Sequence, residues 1–407
     1  MFEMIQIVDK QNCCGCGACA QRCPQQCIAM KEDQEGFLYP HVDNSLCVNC
    51  GLCESVCPFL RPEKERTPLD VFAAINRDDN VRENSSSGGV FSLLASNVVS
   101  KGGVVFGVRF DEQWNVVFDY AEDKEKIKLF RGSKYVQANV GDSYKKCEQF
   151  LKDGRIVLFS GTPCQIAGLK KYLQKEYTNL VACDLICHGV PSPKVWEKYL
   201  YSVRKRNMGK NAIWRFLGKM PFCSSLNRLP IITHIRFRDK SYSWKKYRLS
   251  IELTESPAKG RHRLNPSSVK AVDEVFHKNA YMKAFLHDLS LRPSCYYCKS
   301  KCGRSNSDIT LADFWGIQKI LPEMDDDKGT SLVLAYNDKC TVLLKNADVF
   351  TKETLFKDSL RDNHMWSECV LPHPKRELFF ARLDKCKDVQ DLICQFLKPA
   401  KGRLAKK

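Results

Sequence analysis

Two copies of one cysteine pattern, C-x2-C-x2-C-x3-C-P, occupy the first part of the chain. The first copy runs from Cys13 to Pro24, and the second, from Cys47 to Pro58, repeats it at a constant offset. Three thiolates so closely spaced bind one iron–sulfur cubane, while the fourth of each copy reaches across to the other cubane. The pattern therefore predicts two 4Fe-4S clusters with these ligand sets: Cys13, Cys16, Cys19 and Cys57 for the first, and Cys47, Cys50, Cys53 and Cys23 for the second.

The spacing of these cysteines favours a cubane over zinc. Zinc typically takes two pairs of ligands separated by a longer spacer, which this pattern does not offer. Gly15, Gly17 and Gly51 suit a backbone that wraps closely around a cluster and points amides at its sulfurs. Cys14 and Cys27 fall outside the pattern, and we interpret them as packing residues.

The total cysteine content bears on the compartment, since the chain of 407 residues contains 22 cysteines. A chain of this length suggests two or three domains whose cores need no disulfides. The N-terminus lacks the basic and apolar regions of a secretion signal, and no apolar run is long enough to cross a membrane. We therefore expect a soluble, cytoplasmic protein whose cysteines bind metal or take part in redox chemistry.

The formal net charge of +17 raises nucleic acid or an anionic membrane surface as partners. Each 4Fe-4S cluster on four thiolates contributes about −2, which cancels part of this charge. Another part lies in a basic tail that we interpret as solvated: Lys398, Lys401, Arg403, Lys406 and Lys407. No nucleic-acid motif accompanies the charge, so a nucleic-acid partner is not expected.

Composition divides the chain into three parts. Residues 1–66 are predicted to form a bacterial-type two-cluster ferredoxin domain, with the charged, proline-punctuated stretch 61–68 as a linker. Residues 67–350 alternate short apolar runs with helical patterns, which predicts a larger α/β domain. Residues 351–407 are predicted to be a helical extension with packing cysteines at Cys369, Cys386 and Cys394. The fold class is therefore α+β.

The first turn with candidate chemistry is Ser85–Gly89, with the sequence SSSGG, directly before a helical pattern over 90–99. Serine and glycine leave free amides at the positive end of a helix, which suits a phosphate. An ordinary serine N-cap explains the same residues equally well. Composition leaves both interpretations open.

Two further turns contain cysteine. Gly161–Gln165 joins a predicted strand to a helix and places Cys164 in the first helical turn, where the helix dipole favours thiolate. Composition does not decide whether Cys164 is a nucleophile, a ligand or inert. Cys187 and His188 close the next strand, a position where histidine is more often a surface or packing residue than a proton donor.

A C-x2-C pair, Cys295 and Cys298, follows later in the chain, with Cys302 shortly after it. Such a pair clamps a metal but needs two more ligands to hold a cubane. Cys164 and Cys187, at the ends of predicted neighbouring strands, are available for that purpose. Four dispersed cysteines suit tetrahedral zinc equally well, so zinc is a rival at this second site.

The segments SSSGG, RGSKYVQ, LFSGTPCQIAGLK, DLICHGVPSP, CYYC and SDITLADFWG together resemble a known family. It is the beta-subunit family of deazaflavin-dependent (coenzyme F-420) hydrogenases and dehydrogenases, with related ferredoxin-fused reductases. The resemblance covers about residues 1–320 and implies FAD and a third 4Fe-4S cluster in the large domain. It implies these ligands for that cluster: Cys164, Cys187, Cys295 and Cys298. Ala312 stands where similar sequences usually have glycine, which puts the local turn in doubt because alanine resists positive φ.

The resemblance also implies roles for single residues. The candidates for binding the flavin are Ser86, Ser87, Gly88, Gly89 and Thr162. The candidate catalytic residues are Lys134, His188 and Asp313. A solvated lysine is an equally good interpretation of Lys134.

These observations predict an iron–sulfur flavoprotein oxidoreductase. In this prediction the ferredoxin clusters exchange electrons with a redox partner protein or a low-potential donor. The third cluster relays electrons between the ferredoxin clusters and FAD. The flavin couples single-electron transfer to the two-electron chemistry of an organic small-molecule substrate. The alternative is a non-catalytic electron-transfer subunit that serves a separate enzyme. Members of the family act on unrelated compounds, so the substrate stays open.

Overall fold

The computed structural model describes residues 5–208, 229–254, 268–344 and 347–398. The first part of the chain holds these elements: helices α1 (Ala18–Arg22) and α2 (Leu52–Ser55), and an antiparallel hairpin of β1 (Ile28–Glu32) and β2 (Leu38–Val42). Each helix starts after a glycine with positive φ, 72° at Gly17 and 69° at Gly51. Glycine adopts this backbone shape at little cost, so the glycines turn the chain where the cysteine pattern requires it.

Two sheets form the larger part of the molecule. Their strands are β3 (Asp70–Asn76), β4 (Val104–Phe110), β5 (Val116–Ala121), β6 (Val157–Ser160), β7 (Leu180–Leu185), β8 (Ile231–Asp239), β9 (Arg248–Thr254), β10 (Val269–Val275), β11 (Ile309–Asp313), β12 (Ser331–Ala335) and β13 (Val349–Glu353). The large sheet has the order β13-β3-β12-β11-β7-β6-β4-β5, and the small sheet has the order β10-β9-β8.

The centre of the large sheet is parallel. Strands β4, β6, β7 and β11 run in parallel, whereas the outer pairs are antiparallel. Val157, Leu158 and Phe159 of β6 are completely buried, because helices cover both faces of a parallel sheet. The α/β alternation read from the sequence is therefore present in the fold.

The remaining described helices belong to the larger part of the molecule. Along the chain they are α3 (Asp79–Glu83), α4 (Val90–Ser100), α5 (Lys124–Ile127), α6 (Ser143–Lys152), α7 (Pro163–Leu173), α8 (Pro193–Asn207), α9 (Ala280–Leu286), α10 (Ile317–Ile320), α11 (Asp338–Leu344), α12 (Phe356–Ser359), α13 (Arg376–Leu383) and α14 (Val389–Leu397). Short 3-10 turns cover Lys10–Asn12, Lys128–Phe130, Pro293–Tyr297, Pro322–Met324 and His364–Trp366. None of the described helices is both long and apolar enough to span a membrane.

The ferredoxin part is packed firmly on the large domain. One hydrophobic core contains Ala18 and Phe59 from the first part together with Phe159 and Ile166 from the second. The stretch between the two parts has neither helix nor strand, but it is attached, since Arg66 Nη1 donates to Asn306 Oδ1 at 2.7 Å. The clusters expected in the first part are thus held at a defined position relative to the large sheet.

The C-terminal segment is built into the same body. Strand β13 pairs with β3, so the large sheet continues past the boundary expected after residue 350. The buried face of α14, which includes Ile393 and Phe396, packs against α8 and α9. The helices expected beyond residue 351 are present, but they do not form a separate appendage.

Candidate metal centres and anion site

Two cavities in the ferredoxin part separate the eight cysteines of the repeated pattern into two groups. The first cluster pocket, with roughly 320 Å³ of space free of protein atoms, is lined by Cys13, Cys16, Cys19 and Cys57. The second cluster pocket, with roughly 350 Å³, is lined by Cys23, Cys47, Cys50 and Cys53. Each pocket thus gathers the four thiols expected to share one cubane, including the crossed fourth member.

The two cluster pockets differ in exposure. Helix α7 of the large domain covers the first: a Cβ added at Gly168 would lie 2.9 Å from Cys16 Sγ. The second lies at the surface, where Cys50 is exposed and Leu46 and Val48 are 54% and 61% exposed. The first cluster pocket therefore faces the large domain, and the second faces solvent.

Cys14 and Cys27, outside the pattern, also lie at the pocket walls. Cys27 Sγ is 3.3 Å from Cys23 Sγ. The Cys14 thiol lies close enough to the thiols of Cys16 and Cys164 that each of these two affects its pKa, which is raised. Both residues are buried in the hydrophobic core, as the packing interpretation predicts, and the Cys14 carbonyl accepts a hydrogen bond from Gln137 of the large domain.

Neighbouring parallel strands bring the other cysteines together. Because β6 and β7 pair in parallel, the turns that follow them emerge at the same sheet edge and place Cys164 and Cys187 side by side. The 3-10 turn Pro293–Tyr297 carries Cys295 to the same place, and Cys298 follows it. These four residues are here called the third cysteine group. They lie close enough together that a negative charge on one thiol raises the pKa of its neighbours.

Polar groups surround the third cysteine group. Val190 N donates to Cys295 Sγ at 3.4 Å, and the Thr162 hydroxyl lies 3.3 Å from Cys164 Sγ. Burial raises the pKa of Cys187 and of Cys298 to about 12, so metal binding there must release protons. The amide and hydroxyl donors are the kind that orient thiolate ligands in an iron–sulfur site.

Thr162 belongs to the start of α7. Its backbone N donates to Gln165 Oε1 at 2.9 Å, and its carbonyl accepts from the amides of Gln165 and Ile166. Pro163 occupies the first helical position, where a missing N–H costs nothing. This cap fixes Cys164 in the first turn, so the structure places Thr162 beside a candidate metal ligand.

Cys302 and Cys369 lie at the margin of the third cysteine group. Cys369 Sγ is 3.7 Å from the Cys298 carbonyl, a proximity that the sequence spacing did not indicate. Among the described residues, no group of three or more Cys, His, Asp or Glu side chains converges on a single metal ion. The eight ferredoxin cysteines do not converge on a single ion either. This is expected for ligands of a cubane, because each thiolate of a cubane binds a different iron.

The SSSGG turn is held in shape by its own serines. Ser86 Oγ accepts hydrogen bonds from Ser133 N at 2.6 Å and Ser133 Oγ at 2.9 Å. Ser87 Oγ donates to Thr330 O at 2.9 Å. These hydroxyls therefore connect the turn to two other segments, and their first role is to position it.

The glycines of this turn decide between the two interpretations left open above. The N-cap of α4 is Gly89, with φ of 82° and no side-chain hydrogen bond, so the serine N-cap interpretation is wrong. Gly88 is needed for packing, since a Cβ there would lie 2.4 Å from Ala74 O and 2.7 Å from Ser331 N. The uncapped first turn of α4 keeps the amides that an anion would bind.

Cationic side chains surround the same turn. Arg131 Nε donates to Ser92 Oγ at 3.1 Å, within the first turn of α4. Lys134 Nζ donates to the carbonyls of Arg131 and Gly132, at 3.0 and 3.1 Å. Lys240 Nζ donates to Ser87 O at 2.9 Å. Burial lowers the pKa of both lysines to about 7, which an approaching anion would reverse.

Asp313 lies in a buried ion pair. Arg238 donates to both of its carboxylate oxygens, at 2.8 and 3.1 Å, and Trp244 Nε1 adds a third hydrogen bond at 3.0 Å. The Arg238 guanidinium also stacks over the Tyr247 ring at 4.0 Å. Three donors hold this carboxylate in place, and its assignment as a catalytic residue stays a prediction.

Arg238 and Trp244 were missed by sequence reasoning. Both come from the small sheet and the turn after β8, in a region without any motif. Arg238 Nη2 also donates to Ser86 O at 3.3 Å, which joins the small sheet to the SSSGG turn. Nothing in local sequence indicates such a contact between segments far apart in the chain.

His188 is tied to the same region through aromatic rings. Its Nε2 lies 2.7 Å from Asp288 Oδ1, and its ring meets Phe285 edge-on at 4.9 Å. Phe285 in turn stacks on Tyr135 at 4.7 Å, and the Tyr135 hydroxyl accepts from Arg238. His188 thus connects the end of β7, beside Cys187, with the cationic surroundings of the SSSGG turn.

The doubt about Ala312 disappears in the structure. Ala312 lies inside β11, opposite Leu332 of β12, and is extended. An alanine fits an extended strand without strain. The motif around Asp313 therefore does not need glycine at this position.

The described residues at the SSSGG turn fit a phosphate-bearing cofactor. An uncapped helix N-terminus, Arg131 and two lysines with lowered pKa values converge there without a carboxylate in hydrogen-bond contact with any of these three side chains. Backbone amides and cations of this kind bind the diphosphate of a dinucleotide. The turns that follow β3, β6 and β7 emerge at the same edge of the large sheet, because these strands run in the same direction. The SSSGG turn and the third cysteine group therefore lie at one edge.

Comparison with known proteins gives matches along most of the chain. Residues 12–60 match a 4Fe-4S dicluster domain. Residues 71–143 match the N-terminal part, and residues 154–355 the C-terminal part, of the coenzyme F420 hydrogenase/dehydrogenase beta subunit. No curated protein matches the chain.

Among solved structures, a chain of the F420-reducing (NiFe) hydrogenase complex from Methanosarcina barkeri, solved after xenon derivatization, is similar at 13% identity and a TM-score of 0.42. The alignment covers 81% of this chain and 91% of that chain. The family matches confirm the resemblance read from the sequence motifs: the chain belongs to the coenzyme F420 hydrogenase/dehydrogenase beta-subunit family and is an iron–sulfur electron-transfer protein with an N-terminal 4Fe-4S dicluster domain.

Proposed function

We propose that this chain is an FAD-dependent oxidoreductase that passes electrons between a redox partner protein and an organic small-molecule substrate. The observation that carries the proposal is the packing of α7, whose first turn holds Cys164, against the first cluster pocket, where Gly168 lies against Cys16. This helix places Cys164 of the third cysteine group beside the wall of the first cluster pocket, so the two candidate clusters are neighbours. From the third cysteine group, His188 and the rings of Phe285 and Tyr135 extend toward the cationic turn proposed to hold the flavin.

Cys164, Cys187, Cys295 and Cys298 are the proposed ligands of the third cluster. They come from three separate segments that the parallel strands and the Pro293–Tyr297 turn bring together. Iron–sulfur cubanes need four thiolates placed around a volume, and this is the arrangement proposed for the group. Zinc would need the same four sulfurs to converge on one point.

Electrons enter or leave at the second cluster pocket in this proposal. Its Cys50 is exposed, and Leu46 and Val48 beside it form an apolar surface open to a partner. The first cluster pocket, under α7, cannot be approached in the same way because Cys16 and Cys19 are buried. The order is therefore partner, second cluster, first cluster, third cluster and flavin.

The chain's own residues hold the flavin nucleotide in this proposal. Amides of the first turn of α4, with Arg131 and Lys134, bind its diphosphate. Arg238 keeps Asp313 and the small sheet against the SSSGG turn, which shapes the space beside it. Bound FAD would supply the exchange between one-electron and two-electron chemistry. His188, held by Asp288, is a proposed proton carrier near the substrate.

The test uses anaerobically reconstituted full-length protein with iron and flavin quantified. Reduced methyl viologen, a one-electron donor, should reduce the clusters and then the flavin. Flavin that stays oxidised, or protein that binds no flavin while all clusters reduce, would contradict the proposal. That second result would instead favour the non-catalytic electron-transfer subunit.

Replacing Cys187 with Ser tests the third cluster. We expect iron to fall by about four per chain and flavin reduction to stop, while the signals of the two ferredoxin clusters remain. The matched control is Cys302→Ser, which should keep full iron because Cys302 lies at the margin of the group. Iron lost in the Cys302 variant and retained in the Cys187 variant would overturn the ligand assignment.

A further inference from the structure

The residue Arg292 is a completely buried cation at the junction of the two parts of the molecule. Its side chain has no exposed surface, and it lies directly before the Pro293–Tyr297 turn that carries Cys295. Removing a guanidinium from water is costly unless hydrogen bonds and a negative charge compensate it. The buried Arg292 therefore requires both hydrogen-bond acceptors and a negative charge nearby.

The guanidinium reaches into the ferredoxin part. Nε donates to Cys13 O at 2.8 Å, and Nη2 donates to Leu38 O at 3.0 Å and to Cys13 Sγ at 3.6 Å. Nη1 donates to Gln137 Oε1 at 3.0 Å, and the group stacks over the Tyr39 ring at 4.2 Å. These oxygen partners are neutral, so the hydrogen bonds are satisfied but the charge is not.

Nearby carboxylates are already paired with other cations. In the hairpin that packs on Arg292, Asp33 pairs with Lys10 at 2.5 Å. Glu35 receives two hydrogen bonds from Arg376, at 2.9 and 2.5 Å. The groups whose charge acts on Arg292 are three cysteines and a tyrosine: Cys13, Cys14, Cys295 and Tyr39.

A cluster in the first pocket would supply the missing charge. A 4Fe-4S cluster on four thiolates carries about −2 when oxidised and about −3 when reduced. Cys13, one of the proposed ligands, is the sulfur that Arg292 contacts. The cation is thus closest to the group whose negative charge grows by one when it accepts an electron.

Backbone geometry shows that the site is built for this side chain. A Cβ on Gly15 would lie 2.8 Å from Arg292 Nη1, so the glycine between Cys14 and Cys16 leaves room for the guanidinium. Gln137, which accepts from Arg292, also donates to Cys14 O at 2.9 Å. The loop from Cys13 to Cys16, which carries two ligands of the first cluster, therefore packs closely around the guanidinium.

We propose that Arg292 is a positioning residue that acts as the counter-ion of the first cluster and raises its reduction potential. The inference rests on the ligand set of the proposed function. The step is a one-electron reduction of the cluster, with no proton transferred, and the fixed positive charge stabilises the reduced form more than the oxidised form. The same side chain ties Cys13 to the segment that carries Cys295, between two proposed clusters.

The experiment is a redox titration of full-length, anaerobically reconstituted protein, followed by paramagnetic resonance. The signal of the first cluster is the one that Cys19→Ser abolishes. In Arg292→Gln we expect the equilibrium constant for its reduction to fall at least tenfold, which is 59 mV toward more negative potential for one electron. An unchanged potential in a variant with full iron would overturn the inference.

Two further variants control for packing. Arg376→Gln removes a second buried cation from the same interface, one that pairs with Glu35 rather than with cysteine, and should leave the potential unchanged. Arg292→Lys keeps the charge and should retain the cluster near the wild-type potential even if Arg292→Gln loses it. Equal loss of the cluster in both Arg292 variants, or an equal shift in the Arg376 variant, would overturn the inference. Flavin is not needed for this measurement, so a failure of flavin binding would contradict the proposed function alone.

Discussion

At the residue scale, side chains that looked catalytic or cofactor-binding in the sequence are held by structural contacts. Asp313 pairs with Arg238, and Ser86 and Ser87 bind within the turn. Gly88 lies against the backbone of β3 and β12. An aspartate at Gly88 would clash there and disturb the fold, so that substitution does not report on phosphate binding. Lys134 is the better test.

We predict that FAD affinity weakens as pH rises above 7, by up to about tenfold per pH unit for each of two lysines that binding reprotonates. Burial alone lowers the pKa of Lys134 to about 7, so the free site loses its proton above that pH, and a bound diphosphate must restore it. Lys134→Met should reduce this slope. Lys240 keeps part of it, because the pKa of Lys240 is also lowered to about 7, by burial first and then by Arg238.

The measurement is a titration of apoprotein with FAD between pH 6 and 9. Lys128→Met is the control, because Lys128 is half exposed and pairs with Glu125 on the surface. An unchanged slope in the Lys134 variant would contradict its assignment to the diphosphate site.

At the element scale, α7 connects the two parts of the molecule. Its capped N-terminus presents Cys164, and its middle lies against the first cluster pocket at Gly168. A glycine inside a helix costs about 1 kcal/mol relative to alanine, so its presence here indicates a need for close approach. The same helix thus positions a proposed ligand and covers another cluster.

We predict that Gly168→Ala destabilises the protein by about 1–3 kcal/mol, although alanine favours helix. The new Cβ would lie 2.8 Å from Cys16 Cβ and would push this ligand out of place. Iron of the first cluster should be lost to a chelator faster than in the wild type. Gly154→Ala, which strains a positive φ in open space, should lower thermal stability without this loss of iron. Equal chelation rates in all three proteins would contradict the prediction.

At the scale of the whole molecule, the first cluster pocket is buried and the second is exposed. The proposed path of electron transfer therefore runs between the protein surface and the large domain. The ferredoxin part shares a hydrophobic core with the large domain, and its outer end carries the apolar residues Leu46 and Val48. An exposed apolar surface beside a cluster ligand suits contact with another protein.

We predict that Leu46→Glu with Val48→Glu slows cluster reduction by a protein donor at least tenfold. Reduced ferredoxin is the probe, and reduced methyl viologen, which needs no docking surface, should react at the wild-type rate. Leu371→Glu is the control, since Leu371 is 80% exposed and lies outside the ferredoxin part. Slower reduction by the dye as well would indicate damage to the cluster instead of the surface.

The sequence by itself determined what depends on local spacing. The cysteine repeat predicted the dicluster domain and the members of each pocket, because a cubane accepts few arrangements of closely spaced thiolates. Proline and threonine before Cys164 predicted its place in a first helical turn, since caps are set by neighbouring residues.

Only the tertiary structure decided what depends on contacts between distant segments. Three contacts of this kind are the closeness of Cys14 to Cys164, the pair of Arg238 with Asp313 and the burial of Arg292 beside Cys13. The paired residues are 75 to 279 positions apart in the chain. A buried charge is stable only where compensating groups lie next to it in the folded protein. Local periodicity and residue spacing do not specify which distant segments supply those groups.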